Sequence, residues 1–189
     1  MIIAGGLTFT FLSVLYSINI GNSIFDEEGS KIIQEIMKKA DEKGVKIHFP
    51  TDFVSSEKRE ETAEIKVFDM ESGIPDGWAG YDIGPASVES FTKIILNART
   101  IFWNGPPGMF ELSPFKNGSL GIINALVAAT KNGALSIVGG GESVSSLKLV
   151  PGSYDVLSHV STGGGASLEL LEGKKLPGVV YLSDKVGNL

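Results

Sequence analysis

Four short runs of apolar and β-branched residues, MIIAGG, TIFWNGPPG, LSIVGGGES and LSHVSTGGGAS, each break off at glycine or proline. Such a run predicts a buried strand that ends in a turn. Between these runs the apolar spacing becomes helical. DEEGSKIIQEIMKKADEKG sets Ile32, Ile33, Ile36, Met37 and Ala40 on one stripe, opens with acids that suit a positive helix end, and closes at Gly44. GPASVESFTKIILNAR carries Pro85 near its first turn and buries Val88, Phe91, Ile94 and Ile95. GSLGIINALVAATKNG and GASLELLEG predict two more helices stopped by glycine, and VKIHFP predicts a further strand. Alternation of strand and helix predicts an α/β fold: a doubly wound, Rossmann-like, mostly parallel sheet with helices on both faces. No linker interrupts it, so residues 1–189 read as one domain.

Composition narrows the partners. The 189 residues suit a single core-bearing domain. A net charge of −6 argues against nucleic acid or an anionic membrane as partner. No cysteine is present, which excludes disulfides and thiolate metal sites and fits a cytoplasmic protein; two histidines, His48 and His159, are too few for a multi-histidine zinc site. The apolar opening MIIAGGLTFTFLSVLYSINIG lacks a basic start and breaks at Gly5 and Gly6, so it is not expected to be a signal peptide.

The chain has 24 glycines, which cluster instead of spreading as a flexible linker would, and four of the clusters close the apolar runs. In a parallel sheet the carboxyl ends of the strands share one edge, so these loops converge on one crevice. Glycine lets a ligand approach the backbone, and each following helix offers free amides worth roughly 0.3 to 1 kcal/mol per negative charge. The expected guest is a phosphate. A nicotinamide fingerprint is absent, because Val144 and Leu168 stand where the third glycine belongs. Gly173-Lys174 runs into Lys175 instead of Ser or Thr, and Gly141-Glu142-Ser143-Val144 into Ser145, so Walker and hydrolase-elbow motifs are missing too.

Single residues carry less. Glu142 alone reads equally as a first-turn acid or as a metal or phosphate group, Glu111 as a solvated carboxylate, His159 as a structural histidine and Trp103 as core. Phosphoryl transfer needs cations on the developing charge. The chain has two arginines, Arg59 in a charged surface run and Arg99 at a helix end, and no lysine in any glycine loop.

Taken together, FWNGPPGMFE, SIVGGGES, HVSTGGGASLELLEGKKLPGV, IGNSIFDEEGSKI and GIPDGWAGYDIGP resemble the phosphoglycerate kinase family in its C-terminal, nucleotide-binding half. The resemblance implies that Gly5, Gly6, Ile24, Gly80 and Tyr81 line an adenine pocket with Gly105, Pro107 and Phe110. It implies that Glu111 bonds the ribose, Glu142 meets the magnesium of ADP or ATP, and Ser143 touches the phosphates. Gly163, Gly164 and Gly165 would form the helix start over which the transferred phosphoryl group passes, the catalytic role. The family moves a phosphoryl group between 1,3-bisphosphoglycerate and ADP, giving 3-phosphoglycerate and ATP in glycolysis, without a covalent enzyme intermediate.

Some positions depart from the family pattern. Ala4 replaces the first of three glycines, Leu7 a methionine, Tyr81 a smaller aliphatic and Glu142 an aspartate. The longer Glu142 would set the magnesium further out or hold it through water. The family's N-terminal domain, which binds phosphoglycerate and supplies the catalytic arginine, has no counterpart in these residues. Nor has the first strand and helix of the nucleotide domain, whose loop carries lysines. That strand lies mid-sheet beside MIIAGG, so two strand edges should be exposed without it. The expectation is an incomplete C-terminal domain of a kinase that is monomeric at full length, the isolated chain being inactive. The alternative is a free-standing nucleotide-binding remnant or interaction module.

Overall fold

A computed structural model describes residues 1–183. Its helices are α1 (Gly6–Tyr16), α2 (Glu27–Ser30), α3 (Ile33–Glu42), α4 (Pro85–Leu96), α5 (Asn117–Lys131), α6 (Gly141–Ser146), α7 (Ser153–Val156), α8 (Gly164–Leu171) and α9 (Pro177–Val180). Its strands are β1 (Asp52–Ser56), β2 (Lys66–Asp69), β3 (Ala79–Ile83), β4 (Thr100–Asn104), β5 (Leu135–Gly139) and β6 (His159–Ser161). Among the described residues, no helix is long and apolar enough to cross a membrane.

The second half follows the sequence pattern. β4, β5 and β6 pair in parallel in that order, with Trp103 opposite Val138 and Val138 opposite Val160. Parallel strands need a crossover, and α5 supplies the one between β4 and β5. Phe91 and Ile95 of α4, Ile123 and Leu126 of α5 and Val138 of β5 are buried in one cluster. Each such side chain contributes roughly 1.5 to 3 kcal/mol by leaving water.

The first half departs from it. β1 pairs antiparallel with both β2 and β3, a small sheet that the sequence reading did not separate. All five residues of β1 are buried, so its sequence shows no alternation. The β-branched and aromatic run LTFTFLSVLY forms α1, with Thr8, Phe9, Thr10, Phe11 and Leu12 all buried. Burial overrides the weak propensity of these residues, and the two threonines are satisfied inside: the Thr8 hydroxyl donates to Ile3 O at 3.0 Å, and Thr10 Oγ1 accepts from Asp26 N at 2.9 Å. Finally, the long helix expected over residues 26–44 is broken between α2 and α3. Asp26 caps α2 by accepting from the Glu28 and Gly29 amides, and Ile33 is buried while Ile32 is 52% exposed.

MIIAGG and VKIHFP, expected as strands, meet only through a parallel bridge between Ile2 and His48. Its bonds run from Ile3 N to His48 O and from His48 N to Met1 O. Neither segment pairs with β4 among the described residues. Between Met1–Ala4 and Thr100–Asn104 lies a groove of about 860 Å³ lined by Ile36, Phe91, Ile95 and Leu126. The Ile2–His48 bridge and β4 therefore face each other across this groove without pairing.

Candidate functional site

A cleft of about 430 Å³ opens where the turns after the strands meet. One wall is the turn into α1, where Gly5 takes φ 68° and passes so close to the next loop that a Cβ would lie 3.4 Å from Pro106 O. The floor is β3. A Cβ on Gly80 would overlap the Phe9 ring, so glycine there keeps aromatic packing and an open floor together. The Ser23 hydroxyl accepts from Gly80 N at 2.9 Å and sets the neighbouring Asn22–Ile24 turn against the strand.

The opposite wall is the loop from Gly105 to Lys116. Met109 N donates to Tyr81 O at 2.9 Å, and the Tyr81 and Phe115 rings pack at 4.9 Å between centroids. Ser113 N donates to Glu61 Oε2 at 3.1 Å, which ties the loop to the charged run after β1. Bonding from Ser113 lowers the Glu61 carboxyl below its ordinary range.

A third set of bonds knits the glycine turns. Asn104 Nδ2 donates to Gly139 O at 2.9 Å, Gly140 N to Ser161 O at 2.9 Å, and Gly105 N to Ser143 Oγ at 2.7 Å. At Gly164 a Cβ would lie 3.0 Å from Gly140 Cα, so the starts of α6 and α8 touch backbone to backbone. The loops after β4, β5 and β6 meet one another, with Gly105 and Gly140 at positive φ that favours glycine, but Gly163–Gly165 stand off the cleft itself.

Of the residues singled out in the sequence, Gly5, Gly6, Ile24, Gly80, Tyr81, Pro107, Glu111 and Glu142 line the cleft. Gly105 stands beside it and is held by Ser143, which is 1% exposed. Phe110 is buried beneath the loop, with Lys148 Nζ 5.4 Å from its ring centroid. Gly163, Gly164 and Gly165 lie outside the cleft wall, at the start of α8 next to Gly140. Glu142 is exposed on the first turn of α6. Among the described residues no three acids or histidines gather as a metal site. A lone carboxylate suits magnesium that arrives with phosphate and water as its other ligands.

Sequence reasoning missed Phe9, Arg59, Asp82 and Met109, which also line the cleft. Arg59, the one cation among those lining residues, sits in a run whose composition signals only surface. Asp82 is 3% exposed, and burial pushes its carboxyl up to about 7, against the bonds from Gly118 N and Ile83 N that favour its charge.

The family model described as "Phosphoglycerate kinase" matches residues 1–174. The chain is 56% identical to a phosphoglycerate kinase of Sterkiella nova over 98% of its own length and 44% of that protein's. It is 50% identical to phosphoglycerate kinase 2 of Mus musculus, over 97% and 44%. The phosphoglycerate kinase structure from Coxiella burnetii superposes with a TM-score of 0.83 at 36% identity, covering 92% of this chain and 44% of that one. The Pyrococcus horikoshii enzyme gives 0.71 at 26% identity, over 93% and 43%. The chain spans less than half the length of these relatives. By sequence match across nearly all its residues and by superposition of its fold, this chain belongs to the phosphoglycerate kinase family.

Proposed function

We infer that this chain is the nucleotide-binding half of a phosphoglycerate kinase and that its cleft takes ADP or ATP. The observation that carries the reading is the cleft itself: about 430 Å³, floored by Gly80, walled by Gly5 and Pro107, and opening beside Glu111 and Glu142. That volume suits a small-molecule site. The adenine slot is formed by Gly5, Gly6, Ile24, Gly80, Tyr81 and Pro107, with Phe110 supporting the loop from below. Glu111 accepts from the ribose hydroxyls.

The phosphates run toward α6 and α8, whose first-turn amides favour negative charge. Ser143, at 1% exposure and with its Oγ accepting from Gly105 N, holds the loop backbone beside the phosphates instead of touching them. Glu142 holds the magnesium, which supplies charge neutralisation on the phosphates when bound. Gly163, Gly164 and Gly165 leave a side-chain-free path for the transferred group. In the reaction the bond from phosphorus to the acyl oxygen of 1,3-bisphosphoglycerate breaks as a bond forms to a terminal oxygen of ADP. Positioning and electrostatics supply the catalysis.

The phosphoglycerate belongs to the part of the family fold that this chain, at 44% of its relatives' length, does not span, and Arg59 is the one cation among the residues lining the cleft. A cytoplasmic enzyme, monomeric at full length and without nucleic-acid or membrane partners, completes the proposal. The same shortage favours a second reading, a nucleotide-binding module without kinase activity. Assaying ATP formation from 1,3-bisphosphoglycerate separates the two. The isolated chain should give none, and a chimera with the remaining part of a relative should be active. A chimera that binds both substrates yet stays inactive would favour the module.

A further inference from the structure

Consecutive residues of β3 hold the cleft loop within its length and where it enters α5. Tyr81 O accepts from Met109 N at 2.9 Å, and Asp82 Oδ2 accepts from Gly118 N, on the first turn of α5, at 2.6 Å. Asp82 Oδ1 accepts from Ile83 N at 2.8 Å. A Cβ at Gly108 or at Gly118 would overlap this carboxylate, so the loop and the helix close around it through two glycines. The charged groups on the surrounding elements are Asp52 on β1, Lys116 before α5, and Arg59, Glu111 and Glu142 on the cleft walls. None of these pairs with Asp82 among the described residues, so the amides of Gly118 and Ile83 are its partners.

We propose that Asp82 is a positioning residue of the nucleotide cleft: its ionised carboxylate clasps the loop between β4 and α5 onto β3, fixing Pro107 and Glu111, and this makes nucleoside binding pH-dependent. The proposal rests on the nucleotide reading above. A charged acceptor binds an amide more strongly than a neutral one, so protonation loosens the clasp. Burial pushes the Asp82 carboxyl up to about 7, so the change falls near neutral pH.

The test uses adenosine, which has no phosphate to titrate in this range, with affinity and resonance positions followed by NMR. From about pH 8 to about pH 6 the affinity should fall roughly threefold to tenfold. The Asp82 carboxyl carbon and the Gly118 amide should titrate together with a midpoint of about 7. D82N should bind at the wild-type low-pH level with no pH dependence. Separate titration of the two groups, a midpoint in the ordinary carboxylate range, or equal affinity at both pH values would overturn the proposal. Absence of adenosine binding at either pH would refute the nucleotide reading, and the coupled titration of the wild-type chain would still decide the clasp, as it would if D82N failed to fold.

Discussion

Gly80 of β3 and Phe9 of α1 pack so closely that no side chain fits between them. The contact joins the two halves of the cleft: α1 follows the Gly5 turn, and β3 carries Tyr81. Gly80→Ala must therefore displace the Phe9 ring, which also packs on Phe53 at 5.3 Å. The expected result is a stability loss of about 1 to 3 kcal/mol and a larger loss of ADP affinity, about tenfold or more. Denaturant unfolding and calorimetric titration of the same variant measure the two effects.

Arg59 brings positive charge to a cleft edged by Glu111 and Glu142. Its guanidinium can face either a base or a phosphate. Arg59→Ala should weaken ADP binding roughly threefold to tenfold, and Arg59→Lys should not restore it if the flat guanidinium stacks on the base. Full affinity in both variants would remove Arg59 from the site.

Glu142 is expected to act through magnesium and not through the nucleoside. Glu142→Gln should lower affinity for magnesium-ADP about tenfold and leave adenosine binding unchanged. An equal loss for both ligands would mean that the residue shapes the cleft instead.

Asp82 also sets a slope of stability with pH. Its carboxyl sits at about 7 when folded, above the ordinary 3.8, so the folded state holds this proton more tightly than the unfolded chain. The stabilisation is complete below the ordinary value and is lost as pH rises through about 7. Asp82→Asn should abolish this slope, while its amide nitrogen, which cannot accept, leaves one of the Ile83 and Gly118 N–H groups without its partner. Urea unfolding of both proteins across this range gives the comparison. The ionised carboxylate thus costs stability while it orders the loop.

Much of the fold was legible where local pattern and burial agree. The second half repeats strand, glycine turn and helix, and β4, β5, β6, α4 and α5 fall where the sequence puts them. The first half was harder because burial there is nearly continuous. α1 buries five consecutive residues, and β1 buries five of five, so neither shows the period that distinguishes helix from strand. The glycine wall of the site was visible because its clusters close apolar runs, with Gly5 and Gly105 in turns whose positive φ favours glycine. Arg59 and Asp82 were not, because the charged run holding Arg59 is brought to the loop by the long-range Glu61–Ser113 bond, and Asp82 reaches the cleft from a strand whose pairing with β1 spacing along the chain does not encode.

An NMR titration of the chain with ADP and magnesium tests the cleft between the Gly5 turn, β3 and the Pro107 loop as the nucleotide site. Saturable shifts are expected at the Gly5, Gly80, Tyr81 and Met109 amides, followed by the amides at the starts of α6 and α8. Shifts confined to the groove between Met1–Ala4 and β4, or none at saturating ADP, would contradict it.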